Sequence, residues 1–291
     1  MAPLVIAEIA AGYLIFLAFL LFVVRPRAKS RRIQLLVNAV GLPLTSELEP
    51  TVEATLRREV WVGFLSMAVA LALASTGMIL GGVHSTQQVF FIDFTAVLLA
   101  IGISSAIATS VHEDARQRRE VRFARLTSVD IDDYRGWAQR WAPRVLVVVA
   151  LAVFAFRVIV VPGGVAATPA FLFVYAGAII VSLAIYEITS HTLLRRGQPA
   201  GSALELAWDD ALRSRALNLI AIAPVYLACY FNIASIAFYP TSRSAGAVLA
   251  VQLSAVAEML FAVGLLVWVI GTSSRKPQQR FLRRLWPEFA K

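Results

Sequence analysis

The stretch Pro169–Arg196, PAFLFVYAGAIIVSLAIYEITSHTLLRR, is apolar over most of its length and ends in arginine. A helix rises 1.5 Å per residue and needs about 20 apolar residues to cross roughly 30 Å of hydrocarbon. The segment from Pro169 to Leu193 is longer than that, and Arg195 and Arg196 follow where the chain would leave the bilayer. The sequence therefore predicts a transmembrane helix here.

The composition of the whole chain extends this prediction. Of its 291 residues, 59% are hydrophobic and 15% are charged, against roughly 25% charged residues in soluble domains. The mean hydropathy is +0.73. The net charge of +9 comes mainly from residues between apolar stretches, so it indicates topology and not nucleic-acid binding. The single cysteine, Cys229, excludes an internal disulfide.

We predict an all-α integral membrane protein with about seven transmembrane helices in a single domain, 1–291. The predicted spans are 3–24, 60–83, 89–111, 145–161, 169–193, 217–239 and 245–270. The linkers 25–59, 112–144 and 194–216 and the tail 271–291 hold nearly all the arginines and lysines. By the positive-inside rule these segments are cytoplasmic, with the amino terminus outside and the carboxy terminus inside.

After the first span, the chain divides into three predicted helical hairpins. Each returning helix ends near a Thr-Ser pair, Thr109-Ser110, Thr189-Ser190 or Thr272-Ser273, at intervals of 80 and 83 residues. This regularity suggests a threefold parallel repeat. The alternative is that threonine, serine and arginine are simply common at helix ends.

The cytoplasmic linkers combine acidic, aromatic and basic residues. VEATLRREVW, DDYRGWAQRWAPR and AWDDALRSRA are predicted to form short amphipathic helices in the membrane interface, with tryptophans at headgroup depth. In the first linker, SELEPTVEATLRREV also resembles a helix that begins near Ser46 or Pro50 and continues into the second span. No linker is long enough to bury a core of its own. The pairs Asp132-Asp133 and Asp209-Asp210 are interpreted as helix caps in preference to a metal or phosphate-transfer site.

Ionisable residues inside predicted spans are candidates for an ion or ligand pathway. Glu8, Asp93 and Arg157 lie within one to two turns of the predicted outer face, where they would either form a polar pocket or reach the outer headgroups separately. Glu258 lies near mid-membrane, where a carboxylate serves either proton coupling or a neutral interhelical hydrogen bond.

The sixth predicted span contains Pro224 at its centre. Proline frees a backbone carbonyl and often kinks a membrane helix beside a cavity, which Tyr226, Tyr230 and Asn232 could line. The alternative is a proline without any ligand nearby.

Near the end of the fifth span, Glu187 and His191 are four residues apart and share a helix face. We interpret them as a polar pair at the cytoplasmic edge, with Glu187 able to pair with His191 or Arg195. Two such residues do not complete a metal site, and no metal or other cofactor is predicted. Hydrolase, P-loop and dinucleotide-binding motifs do not occur in a suitable context, so no catalytic residue is assigned.

The segments VGLPLTSELEPTVEATLRREVW, DDYRGWAQRWAPR and AWDDALRSRAL resemble segments of uncharacterised multi-pass membrane proteins of actinobacteria. The resemblance implies the cytoplasmic membrane of a bacterium and implies no activity or site.

Two classes of function are compatible with these features. The first is a non-enzymatic partner-binding or regulatory subunit that presents a basic face to anionic lipid, to a membrane-protein partner or to a second copy of itself. The second is a transporter for a small solute or protons, which would use the intramembrane charged residues.

Overall fold

The computed structural model describes nine ranges of the chain. They are 26–80, 92–93, 95–100, 102–104, 106–108, 129–160, 170–195, 202–237 and 280–289. Within them, the side chains of 26–30, 77–80, 157, 160 and 232–237 are not described. The predicted spans 3–24 and 245–270, with Glu8 and Glu258, lie outside the described residues.

The described part of the chain is helical and has no strand, which confirms the all-α prediction at that level. Its helices are α1 (Pro26–Val40), α2 (Glu49–Leu80), α3 (Thr95–Ala108), α4 (Ile131–Tyr134), α5 (Trp137–Val160), α6 (Ala170–Arg195), α7 (Ala203–Ala237) and α8 (Arg280–Leu285), with a 3₁₀ turn at Pro287–Phe289. Among them, α2, α5, α6 and α7 are long and apolar enough to cross a membrane. The count of seven spans, their orientation and the threefold repeat stay predictions.

Three long helices begin well before the apolar segments that they contain. Helix α2 begins at Glu49, α5 at Trp137 and α7 at Ala203, whereas the apolar spans were predicted to begin at 60, 145 and 217. VEATLRREVW lies in a helix that begins at Glu49 and continues into the second predicted span, as predicted for SELEPTVEATLRREV. WAQRWAPR and AWDDALRSRA also belong to long helices and are not separate interfacial helices. In α7, no glycine or proline occurs before Pro224 to interrupt the helix.

Helix α1 and the turn after it show how the first linker is folded. Gly41 has a φ of 80°, and its amide donates to the Val37 carbonyl at 2.7 Å. A left-handed glycine directly after the last helical residue is a common helix terminator, because glycine has no Cβ to clash. The turn sends Leu42 into the protein interior.

Helix α7 is the central helix of the described bundle, because both α5 and α6 pack against it. Phe231 of α7 lies edge-on to Phe154 of α5, with ring centroids 5.1 Å apart, and stacks on Tyr175 of α6 at 5.3 Å. We call the buried residues of this region the span core. They are Leu98, Leu146, Val147, Ala150, Phe154, Leu172, Tyr175, Ala176, Ile179, Val225, Leu227, Ala228 and Phe231.

A second core joins segments that were predicted to be separate linkers. We call it the linker core. Its buried members are Leu36, Val40, Leu42, Val52, Leu56, Tyr134, Tyr186, Leu193, Leu206, Ala207, Trp208, Ala211, Leu212, Ala216, Leu217, Ile220, Ala221, Phe281, Leu282 and Trp286. No single linker buries this core; α1, α2, α4, α8 and the ends of α6 and α7 build it together.

Gly102 marks a close approach between α3 and α7. A Cβ atom built at Gly102 would lie 2.8 Å from the Cβ of Ala223. We expect Gly102→Ala to lower the free energy of unfolding by about 1–3 kcal/mol, because one of two packed helices must shift. Gly177 is the control, since a Cβ there meets nothing within 4 Å.

Gly177→Ala is expected to leave stability unchanged or to raise it by up to about 1 kcal/mol, through helix propensity alone. Thermal unfolding of both variants in the same detergent measures the difference. Equal melting temperatures for the two variants would contradict the close α3–α7 contact.

Candidate functional site

The buried charged side chains of the described residues concentrate where the linker core meets the bundle. They are Arg135, Asp209, Asp210 and Arg213. All four belong to segments predicted as cytoplasmic linkers. This region, and not the interior of the spans, is the most polar buried part of the structure that is described.

Asp210 is the centre of this region. Its side chain is fully buried, and its two carboxylate oxygens accept hydrogen bonds from different segments. The Tyr134 hydroxyl donates to Oδ1 at 2.6 Å, and the Trp286 indole Nε1 donates to Oδ2 at 2.8 Å. Because a charged acceptor strengthens both hydrogen bonds, Asp210 fastens α4 and the carboxy-terminal segment to α7.

The carboxy-terminal segment Arg280–Phe289 makes further contacts with α4. Arg280 Nε and Arg284 Nη1 each donate to the backbone carbonyl of Asp132 at 3.2 Å. Phe281 and Leu282 are buried in the linker core. This segment is therefore an integral part of the fold, although the sequence presents it as a basic tail.

The two aspartate pairs have different roles. Asp130 and Asp133 form a capping box at the start of α4, so the capping interpretation holds for Asp133. Asp132 instead pairs with Arg140 at 2.9 Å. The capping interpretation is wrong for Asp209-Asp210, because α7 begins at Ala203 and its first turn is capped by Ser202, whose Oγ accepts from the Glu205 amide at 3.2 Å.

Arg135 lies between α4 and α5 and is only 5% exposed. Its Nη1 donates to the Tyr186 hydroxyl at 2.9 Å, and its Cζ lies 5.7 Å from the centre of the Tyr186 ring. Burial lowers the pKa of Arg135, an effect that Tyr186 opposes and the nearby Arg144 reinforces. The Nε atom of Arg135 is buried and has no hydrogen-bond partner.

Glu187 makes its ion pair with Arg144 of α5. Arg144 Nη2 donates to Glu187 Oε2 at 2.7 Å, while Nε lies 2.7 Å from Oε1 without a well-aligned hydrogen bond. Trp141 lies beside this pair, with its ring centre 5.1 Å from the Arg144 Cζ. The predicted partner His191 is exposed. The carboxylate of Glu187 thus connects α5 to α6.

Exchanging the two charges tests this pair. Arg144→Glu is expected to lower the melting temperature, because two carboxylates then face each other, and Arg144→Glu with Glu187→Arg is expected to restore most of the loss. The pair is partly exposed, so the coupling free energy should be about 0.2–1 kcal/mol. The double-mutant cycle by thermal unfolding measures it, with His191→Ala as the control. No recovery in the double variant would contradict the observed pairing.

The charged groups of this region connect helices and segments to one another. Asp132 and Glu187 are paired with arginine, and Asp210 holds two neutral donors. Within the described ranges, no three His, Cys, Asp or Glu side chains are grouped so that they could hold a metal ion. No family model, curated protein or solved structure matches this chain.

The other predicted site residues belong to predicted spans. The Oδ1 atom of Asp93 is buried without a hydrogen-bond partner, and Tyr226 is 38% exposed. The side chains of Arg157 and Asn232 are outside the described residues, so the predicted pairing of Arg157 with Asp93 or Glu8 stays a prediction.

Tyr175 is a buried polar residue that the sequence analysis missed. Its hydroxyl lies beside Thr95 without a well-aligned hydrogen bond, and its ring is 6.3 Å from that of Tyr230.

Sequence reasoning also missed the aromatic residues that organise the site. Tyr134, Tyr186, Trp208 and Trp286 are buried, and each contributes a polar atom to a hydrogen bond. For Trp208 the available signal was a tryptophan inside a charged linker, which was interpreted as a headgroup anchor. A tryptophan in such a segment is equally suited to a buried position when its indole N–H finds an acceptor.

Proposed function

We propose that this chain is a non-enzymatic protein of a bacterial cytoplasmic membrane that binds a partner through a folded platform at the inner membrane surface. The platform consists of the linker core and the hydrogen bonds of Asp210. The observation that carries the proposal is the Tyr134–Asp210–Trp286 network, which holds three separate segments in one structure. The network gives the platform a fixed shape, and in most pre-organised complexes the binding surface changes little on association.

The rim of the platform supports this proposal. Trp61 of α2 is 54% exposed, and Trp137 and Trp141, in the first two turns of α5, are 71% and 41% exposed. Exposed tryptophan is typical of membrane interfaces, and tryptophan and arginine are also enriched in protein interfaces. The exposed arginines Arg57, Arg195 and Arg283 would face anionic lipid or an acidic partner surface. The partner is accordingly a membrane protein or a second copy of the chain, and it contacts this rim at the depth of the lipid headgroups.

Site-specific photo-crosslinking in native membranes tests the proposal. A photoreactive amino acid at Trp137, on the rim, is expected to give one discrete crosslinked protein. The same residue at Val148 is the control, because Val148 is exposed on α5 within the apolar segment and should contact lipid. Gentle detergent extraction should then recover the same complex. A monomer without crosslinks from any rim position would reject partner binding.

A second function, transport of protons or a small solute, is favoured by one observation. Asp93 has a buried carboxylate oxygen without a hydrogen-bond partner, in a region predicted to lie in the membrane. Polar groups in this position commonly mark ion or solute pathways. Uptake by proteoliposomes should then fall in Asp93→Asn and in Glu258→Gln. Unchanged uptake in both variants would remove these carboxylates from any transport mechanism.

A further inference from the structure

The carboxy-terminal segment Arg280–Phe289, which we call the strap, has two sides of different chemistry. Two of its arginines, Arg283 and Arg284, are exposed. Its large apolar side chains are buried in the linker core, and they are Phe281, Leu282 and Trp286. The strap is therefore a short basic amphipathic segment whose apolar side is directed into the protein.

The surface beneath the strap, which we call the seat, is formed by α4 and α7 and carries acidic groups. Arg284 Nη1 lies 3.4 Å from the Asp133 carboxylate. Arg280 and Arg284 each donate to the Asp132 carbonyl at 3.2 Å. The Arg284–Asp133 ion pair is long and the Arg284 side chain is half exposed, so water and salt screen it. These charges therefore orient the strap on the seat and add little to its affinity.

The seat binds the strap mainly through its buried side chains. The ring of Phe281 lies 6.5 Å from that of Tyr134, and the Trp286 indole N–H donates to Asp210 at 2.8 Å. Helix α8 has only six residues, and a helix this short is not stable in water without packing. The strap is therefore helical only where its apolar side chains are buried. Segments of this kind open locally at a lower cost in free energy than the whole fold.

The first residue of the strap lies beside the start of α5. Arg280 Nη1 is 3.5 Å from the position of a Cβ built at Gly136, and the next residue, Trp137, is largely exposed. An exposed tryptophan at the start of a membrane helix is typical of the depth at which lipid headgroups meet the apolar tails. A second apolar and charged surface, the membrane, is therefore within reach of the strap.

We propose that the strap exchanges between two binding surfaces, the seat and the anionic surface of the membrane. Amphipathic segments that combine arginine with tryptophan, phenylalanine and leucine bind anionic membranes, with their apolar side chains among the lipids. Both states bury the same side chains, Phe281, Leu282 and Trp286, so the strap occupies only one surface at a time. The inference rests on the proposed function in one respect: this end of the bundle lies at the inner membrane surface.

Release of the strap would act on the platform. It takes the Trp286 indole N–H from Asp210 and the Phe281 ring from Tyr134, so α4 loses contacts with the rest of the linker core. Anionic lipid would thereby loosen the platform and weaken its binding of the partner. The strap is in this sense a lipid-sensitive switch.

A photoreactive phenylalanine analogue, benzoylphenylalanine, in place of Phe281 reports where the strap is bound in the full-length protein. In bilayers of phosphatidylcholine, which is zwitterionic, we expect crosslinks to α4, because Tyr134 is the neighbouring ring. In bilayers that also contain phosphatidylglycerol, the ratio of lipid crosslinks to α4 crosslinks should rise by about tenfold or more, because each arginine of the strap is attracted to the anionic surface. Equal ratios in the two bilayers would overturn the exchange.

Matched variants separate the charge of the strap from the basic surface as a whole. Arg283 is exposed while the strap is on the seat, so Arg283→Gln should leave docking intact and lower the crosslink ratio in phosphatidylglycerol bilayers by about threefold to fivefold. Arg195→Gln removes the same charge from the exposed end of α6, outside the strap, and should change the ratio by less than about twofold. Equal changes in the two variants would overturn the proposal.

Hydrogen exchange of the unmodified protein covers the case in which the Phe281 variant does not fold. The amides of α4 should exchange about threefold faster or more in phosphatidylglycerol bilayers than in phosphatidylcholine alone, because release of the strap uncovers them. Unchanged exchange at α4 would overturn the release. The experiment at Trp137 has a protein readout, so a strap that stays on the seat together with a protein crosslink at Trp137 rejects this inference alone. Release of the strap without that protein crosslink rejects the partner-binding function alone.

Discussion

Asp210→Ala is expected to lower the free energy of unfolding by about 2–5 kcal/mol, because it leaves the Tyr134 hydroxyl and the Trp286 indole N–H buried without their acceptor. Asp210→Asn keeps one acceptor oxygen and should lose roughly half as much. In thermal unfolding in detergent, the melting temperature should be highest for the wild type, lower for Asp210→Asn and lowest for Asp210→Ala.

The same substitution should release the carboxy-terminal segment. Trypsin cleaves after Arg283 or Arg284 only when this segment leaves the linker core, so limited proteolysis is expected to be faster in Asp210→Ala. Trp286→Phe removes the indole N–H that Asp210→Ala leaves without its acceptor. The loss of unfolding free energy in the double variant should therefore be smaller than the sum of the losses in the two single variants, by about 1–3 kcal/mol. Strict additivity would contradict a direct Asp210–Trp286 interaction.

The sequence was sufficient to predict the long apolar helices α2, α5, α6 and α7, because a run of apolar residues that is long enough to cross a bilayer has few other structures available. It was insufficient for the linkers. Each linker was considered alone, and alone none has enough apolar residues for a core. Leu36, Trp208 and Phe281 lie far apart in the chain, so no local pattern shows that they are buried together.

The candidate site could be predicted only in part, for a related reason. Glu187 was recognised as a polar residue at the end of α6, but its neighbours on the same helix were considered as partners before those on other helices. The structure gives it Arg144, 43 residues earlier. Asp210 was recognised as part of an acidic pair, yet its role depends on Tyr134 and Trp286, each 76 residues away. Contacts between distant segments are set by packing, which helical spacing does not reveal.

Trp208 carries the other large expected effect, because it joins the first linker to α7. Its side chain is almost fully buried in the linker core, and its indole Nε1 donates to the Pro43 carbonyl at 2.9 Å. Trp208→Ala is expected to lower the free energy of unfolding by about 3–5 kcal/mol, through lost burial and the cavity that remains.

Trp208→Phe separates the hydrogen bond from the packing. Phenylalanine keeps most of the aromatic volume and leaves the Pro43 carbonyl without its donor, so a loss of about 1–2 kcal/mol is expected. Trp137→Ala is the control, because this tryptophan is 71% exposed and should contribute within about 0.5 kcal/mol to unfolding in detergent. If Trp208→Ala and Trp137→Ala shifted the melting temperature equally, Trp208 would not be buried between the first linker and α7, and the linker core would not exist as a packed unit.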